Sequence, residues 1–94
     1  MRYTWDETKR RTNLAKHGLD FADASKVFDG PLVLFEDRRS DYGEQRMIGI
    51  GLLDFLVVLI VHVERGVDEE GSEEIRIISM RKADRDDTDL FYQN

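Results

Sequence analysis

Two imidazoles, His17 and His62, are the only side chains of this 94-residue sequence whose ordinary pKa lies near neutrality. Glu64, Arg65, Arg76 and Arg81 and the lysines Lys9 and Lys16 are the charged groups that could work beside them. Histidine and carboxylate can move protons, and the planar fork of arginine grips two phosphate oxygens at once. Such a set suits cleavage of a phosphodiester. There a hydroxyl loses a proton, a leaving oxygen gains one, and cations neutralise the crowded phosphorane. Each residue also has a plainer use. Lys16-His17-Gly18 can simply close a helix, because a cation is favourable at the C-terminal end of the dipole. Glu64 and Arg76 can be a structural cross-strand ion pair. Arg81 can pair with Asp84 or cap a terminal helix, and Tyr42 can stack on a base or cover the edge of the core.

These residues need elements to hold them. Tyr3-Thr4-Trp5 reads as a short strand or an extended lead-in. Asp6 is a good N-cap for a helix over Glu7–His17, with Lys9 and His17 two turns apart on nearly one face. Asp20 then starts a second helix, with Phe21, Ala24, Val27 and Phe28 at helical spacing, and Gly30-Pro31 ends it. Beyond Pro31 the period becomes two. Strands are expected over Leu32–Phe35, Arg46–Leu52, Phe55–Arg65 and Glu74–Met80, with a short helix after Asp84. The order predicts an α+β fold in which two N-terminal helices cover one face of an antiparallel sheet of three to four strands. The run Phe55–Arg65 is apolar at every odd position up to Val63, so Val57, Leu59 and Val61 are expected beneath those helices. The even face, which turns polar at His62 and Glu64, is then free for a site. An even register in the hairpin would set Glu64 or His62 opposite Arg76, and a one-residue slip would separate them.

The length fits one domain over residues 1–94. Cysteine is absent, which excludes disulfides and cysteine-based zinc sites and suits a reducing cytoplasm. The aspartates of 84–89 fit a solvated helix start and no metal-ligand spacing, so neither a metal nor another cofactor is expected. The longest apolar run, Phe55–Val61, is far short of the ~20 residues of a membrane-spanning helix, and the charged N-terminus has no apolar leader core. The net charge of −6 would repel RNA if it were spread evenly. It is not. Residues 1–27 hold six basic side chains against four acidic ones, while acid concentrates in the loop Gly66–Glu73 and after Asp84. A local basic patch is therefore compatible with the total.

The ordered set W-D-x-x-K-x-x-x-N-x-x-K-H-G (Trp5 to Gly18) is the most specific motif. Phe21, Ala24 and Val27-Phe28 follow it. Then come Asp37, Arg39, Tyr42-Gly43-Glu44 and Arg46, the pair Ile50-Gly51, Glu64-Arg65-Gly66, Ile75-Arg76-Ile77-Ile78-Ser79, Arg81 and Ala83. Over roughly residues 3–83 this pattern resembles the BrnT toxin family. The resemblance implies a RelE-like fold and a cytoplasmic ribonuclease of a type II toxin–antitoxin pair. It also implies neutralisation by a BrnA-like ribbon–helix–helix antitoxin that touches DNA, so that the toxin meets DNA only indirectly. On that reading His17, His62, Glu64, Arg65, Arg76 and Arg81 supply the chemistry, and Lys9, Lys16 and Tyr42 contact RNA. The acidic loop with Asp68, Glu69, Glu70 and Glu73 and the acidic tail depart from the family pattern, and both work against phosphate binding. They leave a second reading open: a module without catalysis that only pairs with an antitoxin in a DNA-binding repressor complex.

Overall fold

The computed structural model describes residues 1–67 and 69–93; Asp68 of the acidic loop lies outside the described residues. The chain forms strand β1 (Arg2–Thr4), helix α1 (Glu7–His17), a 3-10 turn (Phe21–Asp23) running into helix α2 (Ala24–Phe28), strands β2 (Leu32–Asp37), β3 (Arg46–Leu53), β4 (Leu56–Arg65) and β5 (Glu74–Lys82), and helix α3 (Arg85–Gln93). Local chemistry explains the helix ends. The Asp6 carboxylate accepts the Lys9 amide at the start of α1. Gly18 takes a left-handed conformation (φ 69°), and its N–H closes on the Leu14 carbonyl. At α3, Asp84 and Asp87 cap each other reciprocally: each carboxylate accepts the other's backbone N–H, at 2.8 and 3.1 Å.

The sheet has five strands in the order β1-β5-β4-β3-β2, and it is mixed. The expectation of three to four antiparallel strands is corrected here, because β1 joins β5 in parallel, with Tyr3 beside Ile75. Only a long connection permits that pairing. The other neighbours are antiparallel.

The assignment of faces is corrected as well. The even residues of β4, Val58 and Ile60, lie with Ile75, Ile77 and Met80 beneath Leu19, Phe21, Ala24 and Val27. The N-terminal helices therefore cover the even face. The odd residues Val57, Leu59 and Val61 are buried too, but with Ile48, Ile50 and Phe91 of α3. The sheet is covered on both faces, which is why β4 is apolar at both parities. Gly51 makes the close approach of α2 possible: a Cβ there would stand 2.7 Å from Val27 Cγ1 and 3.0 Å from the Pro31 carbonyl oxygen.

Candidate active site

Helix α1 runs along the open edge of β5, and one buried side chain fastens it there. The Asn13 carboxamide donates to the Met80 carbonyl (2.8 Å) and to the Leu19 carbonyl (3.1 Å), while its oxygen accepts the Met80 N–H (3.1 Å). Asn13 thus takes the place of a neighbouring strand at Met80. Residues 9, 12, 13, 16 and 17 share one stripe of the helix. That stripe and β5 enclose a shallow trough of about 290 Å³, lined by Thr8, Lys9, Thr12, Asn13, Lys16 and His17 on one side and by Ile78 and Ser79 on the other. His17 is exposed, as are Lys9 and Lys16.

A β-bulge shapes the other wall. Val61 pairs with Ser79 and His62 with Ile77, so Ile78 is the extra residue of β5. The bulge reverses the parity of the strand. Beyond it Arg76 stands opposite Val63, not opposite His62 or Glu64. Arg76 therefore shares a face with Val63 and with Ser79, the face on which α3 covers only the far half. Arg46 reaches that face as well. Met47 pairs with His62, so Arg46 flanks Val63 from β3 as Arg76 does from β5. One row further out, Glu74 sits between Arg2 (2.7 Å) and Arg65 (3.4 Å), and the Arg2 guanidinium holds its carboxyl below the usual range.

Charge pairing separates these cations. Arg10 is locked to Glu7 and Asp20, Arg39 to Asp37, and Arg81 to Asp87. Among the described residues no carboxylate pairs with Lys9, Lys16 or Arg76. Beside the bulge, then, positive charge is left uncompensated in an acidic chain.

His62 and Glu64 do not join this group. His62 has no exposed surface, and its ring packs edge-on against Phe28 at 4.8 Å on the even face. Its Nε2 lies 3.4 Å from Glu64 Oε1 and its Nδ1 3.4 Å from the Ile60 carbonyl oxygen. Burial pushes its pKa down, so the ring is neutral in the core. The expected even-register meeting of Glu64 or His62 with Arg76 is therefore corrected, because the bulge and the helical cover put them on opposite faces. Glu64 and Arg65 line a separate hollow with Glu73 and Glu74 at the end of the sheet. Arg81 shares Leu59's face but is tied to α3 through Asp87 at 3.0 Å. Tyr42, in the β2–β3 loop, stacks beneath the Arg46 guanidinium, whose carbon is 4.1 Å from the ring centre. Among the described residues no three His, Asp or Glu side chains form a metal-holding group.

The family model for the ribonuclease toxin BrnT of type II toxin–antitoxin systems matches residues 5–87. The chain belongs to the BrnT family. A crystal structure of the Brucella abortus ribonuclease toxin BrnT is similar to it, with a TM-score of 0.70 and 34% identity over 90% of this chain and 99% of that one. No curated protein matches the sequence. As a BrnT family member the chain is a ribonuclease toxin with an antitoxin partner. Among the described residues no helix is long and apolar enough to cross a membrane.

Three motif residues that carried no role in the sequence are brought forward by the fold: Asn13, Ser79 and Arg46. None had a legible local signal: the helical neighbours of Asn13, Lys9, Arg10, Lys16 and His17, are all polar. The faces of Ser79 and Arg46 depend on a bulge and on a register that local pattern does not encode.

Proposed function

We propose that this chain cleaves RNA at the mouth of the α1–β5 trough, with His17 as the proton-transfer group and Arg76, Lys9 and Lys16 as the cations around the scissile phosphate. The observation that carries this reading is the gathering of Lys9, Lys16 and the exposed His17 imidazole around Ile78-Ser79, with the unpaired Arg76 on the face of Ser79, in a chain whose other arginines are largely neutralised by carboxylates. An imidazole open to solvent can take the proton of a 2′-hydroxyl or return one to the departing 5′ oxygen. Arg76 offers a planar fork to the phosphorane that forms between those events. Arg65 and Tyr42 extend the RNA-contacting surface. Glu64 and His62 act from below as supports of β4, and Arg81 acts by seating α3.

The partner on this reading is a BrnA-like ribbon–helix–helix antitoxin that covers the trough and carries the pair to DNA, and the place of action is the cytoplasm. The deciding experiment is induced expression in bacteria with and without the neighbouring reading frame. Growth arrest with RNA cleavage, relieved by the neighbour and lost in His17→Ala and Arg76→Ala, is the expected result. Unchanged growth together with a stable complex would leave only a partner-binding module. Full cleavage by both variants would remove the proposed site.

A further inference from the structure

Arg46 was not part of the site expected from sequence, yet the fold prepares it. Its platform begins with Asp37, whose side chain has no exposed surface. One Asp37 oxygen accepts the Arg39 backbone N–H (3.1 Å) and Nε (2.8 Å), and the other accepts Arg39 Nη2 (2.8 Å). Arg39 foremost, with a smaller contribution from the nearby Tyr42 hydroxyl, holds the pKa of the Asp37 carboxyl down at about 2. The buried carboxylate therefore favours its charged form and pins the start of the loop through Arg39, beside Tyr42. The Tyr42 ring in turn carries the Arg46 guanidinium on its face at 4.1 Å.

Stacking occupies the plane of the guanidinium and leaves its in-plane N–H groups for other acceptors. Those groups are poorly served within the chain. Among the described residues Arg46 Nε is buried without a hydrogen-bond partner, and its ion pair with Glu44 is long (3.8 Å). The side chain keeps 23% of its surface exposed, so an outside acceptor meets the outer part of the guanidinium and not Nε. Arg46 and Arg76 flank Val63 from the two neighbouring strands, so their Cα atoms are about 10 Å apart on one face, two strand spacings. An acceptor with several oxygens in a fork-matching geometry fits between a stacked arginine and an unpaired one. The backbone phosphate of a nucleic acid is such an acceptor.

We infer that Arg46 is a second RNA-phosphate ligand of the ribonuclease site, aimed by Tyr42 and by the buried carboxylate of Asp37. It binds a phosphate next to the one that reacts at Arg76, and so sets the path of the strand across the sheet. This inference rests on the proposed location of the active site.

The test uses the full chain and a fluorescent single-stranded RNA with 2′-O-methyl riboses, which cannot be cleaved, titrated over a range of salt. Arg46→Gln should weaken binding and flatten the plot of log affinity against log salt by about 0.7, the contribution of one phosphate contact on a single strand. Arg46→Lys should keep the slope while losing affinity, and Tyr42→Leu should weaken binding with the slope nearly unchanged. Cleavage by Arg46→Gln should show a raised KM with a smaller loss in kcat. If Arg46→Gln does not fold, mass mapping of dicarbonyl modification on the unsubstituted chain gives the same answer. The RNA should protect Arg46 and Arg76 and leave the exposed Arg38 reactive. An unaltered slope, or no protection of Arg46, overturns the inference alone. Failure of the unsubstituted chain to bind RNA overturns the proposed site and the inference together.

Discussion

The Asn13 side chain meets both backbone polar groups of Met80, donating at 2.8 Å and accepting at 3.1 Å across 67 positions of sequence. A helix side chain here completes a sheet. Asn13→Asp should keep the acceptor and turn two donations into carboxylate–carbonyl repulsions, at Met80 and at Leu19. With about 1 kcal/mol for each lost bond and about 1–3 kcal/mol for groups left buried and unsatisfied, a loss of ~2–4 kcal/mol is expected. Urea unfolding followed by circular dichroism measures it. Because the same bond holds the trough wall, RNA cleavage should fall even at temperatures where the variant is folded.

Acid should act on the core through His62. Burial depresses its pKa below the ordinary 6.5, so the unfolded chain binds this proton more readily than the folded one. Stability from this residue is complete above pH 6.5 and declines as pH falls below it. Glu64, the carboxylate beside the ring, opposes part of the effect. His62→Gln should flatten the pH dependence of the unfolding midpoint below about pH 6.5. A parallel pH profile in the variant would assign the acid sensitivity elsewhere.

Arg81 and Arg76 should differ in what their loss does. Arg81 Nη1 bonds Asp87 Oδ2, the same oxygen that caps the start of α3 at Asp84. Arg81→Ala should loosen α3 and lower the thermal midpoint, with a moderate loss of activity. Arg76 has no carboxylate partner among the described residues, so Arg76→Ala should leave the midpoint within a few degrees and remove cleavage. Side-by-side melting curves and RNA cleavage rates read the contrast.

Gly51→Ala tests the seat of α2. The added methyl would enter at 2.7 Å from Val27 Cγ1 and 3.0 Å from the Pro31 carbonyl oxygen, and backbone cannot retreat as a flexible side chain would. Overpacking of this kind costs about 1–3 kcal/mol, read as a lowered urea midpoint at unchanged slope. Gly49→Ala should be milder, because its nearest neighbour, at 3.2 Å, is the end of the Leu32 side chain.

The parts of this fold that depend on near neighbours were legible in the sequence. Asp6 and Gly18 mark the ends of α1 because a cap needs only the adjacent turn. Lys9, Lys16 and His17 fall on one stripe because helical spacing puts them there, and the structure brings them into one trough. What was illegible was set at long range. The parallel pairing of β1 with β5 joins residues more than seventy positions apart. Helix α3 carries few apolar residues, so nothing local announced that Phe91 would cover the odd face and leave the even face to the N-terminal helices. His62 looked like an active-site imidazole because it stands on a strand beside Glu64. Its burial follows from Phe28 packing across it, a contact between residues 34 positions apart in the sequence.

The unpaired Ile78 makes β5 a strand whose two halves are out of phase. Residues 74–77 take their orientation from β1 and the end of β4, and residues 79–82 from Asn13 and the start of β4. Without Ile78 the pairs His62–Ile77 and Val61–Ser79 would be consecutive rungs of a regular ladder, so Arg76, Met80 and Arg81 would keep their faces. What would go is the extra side chain and the local bend that a bulge adds, at the wall of the trough. The loss of this one codon should therefore spare the fold and blunt the toxin.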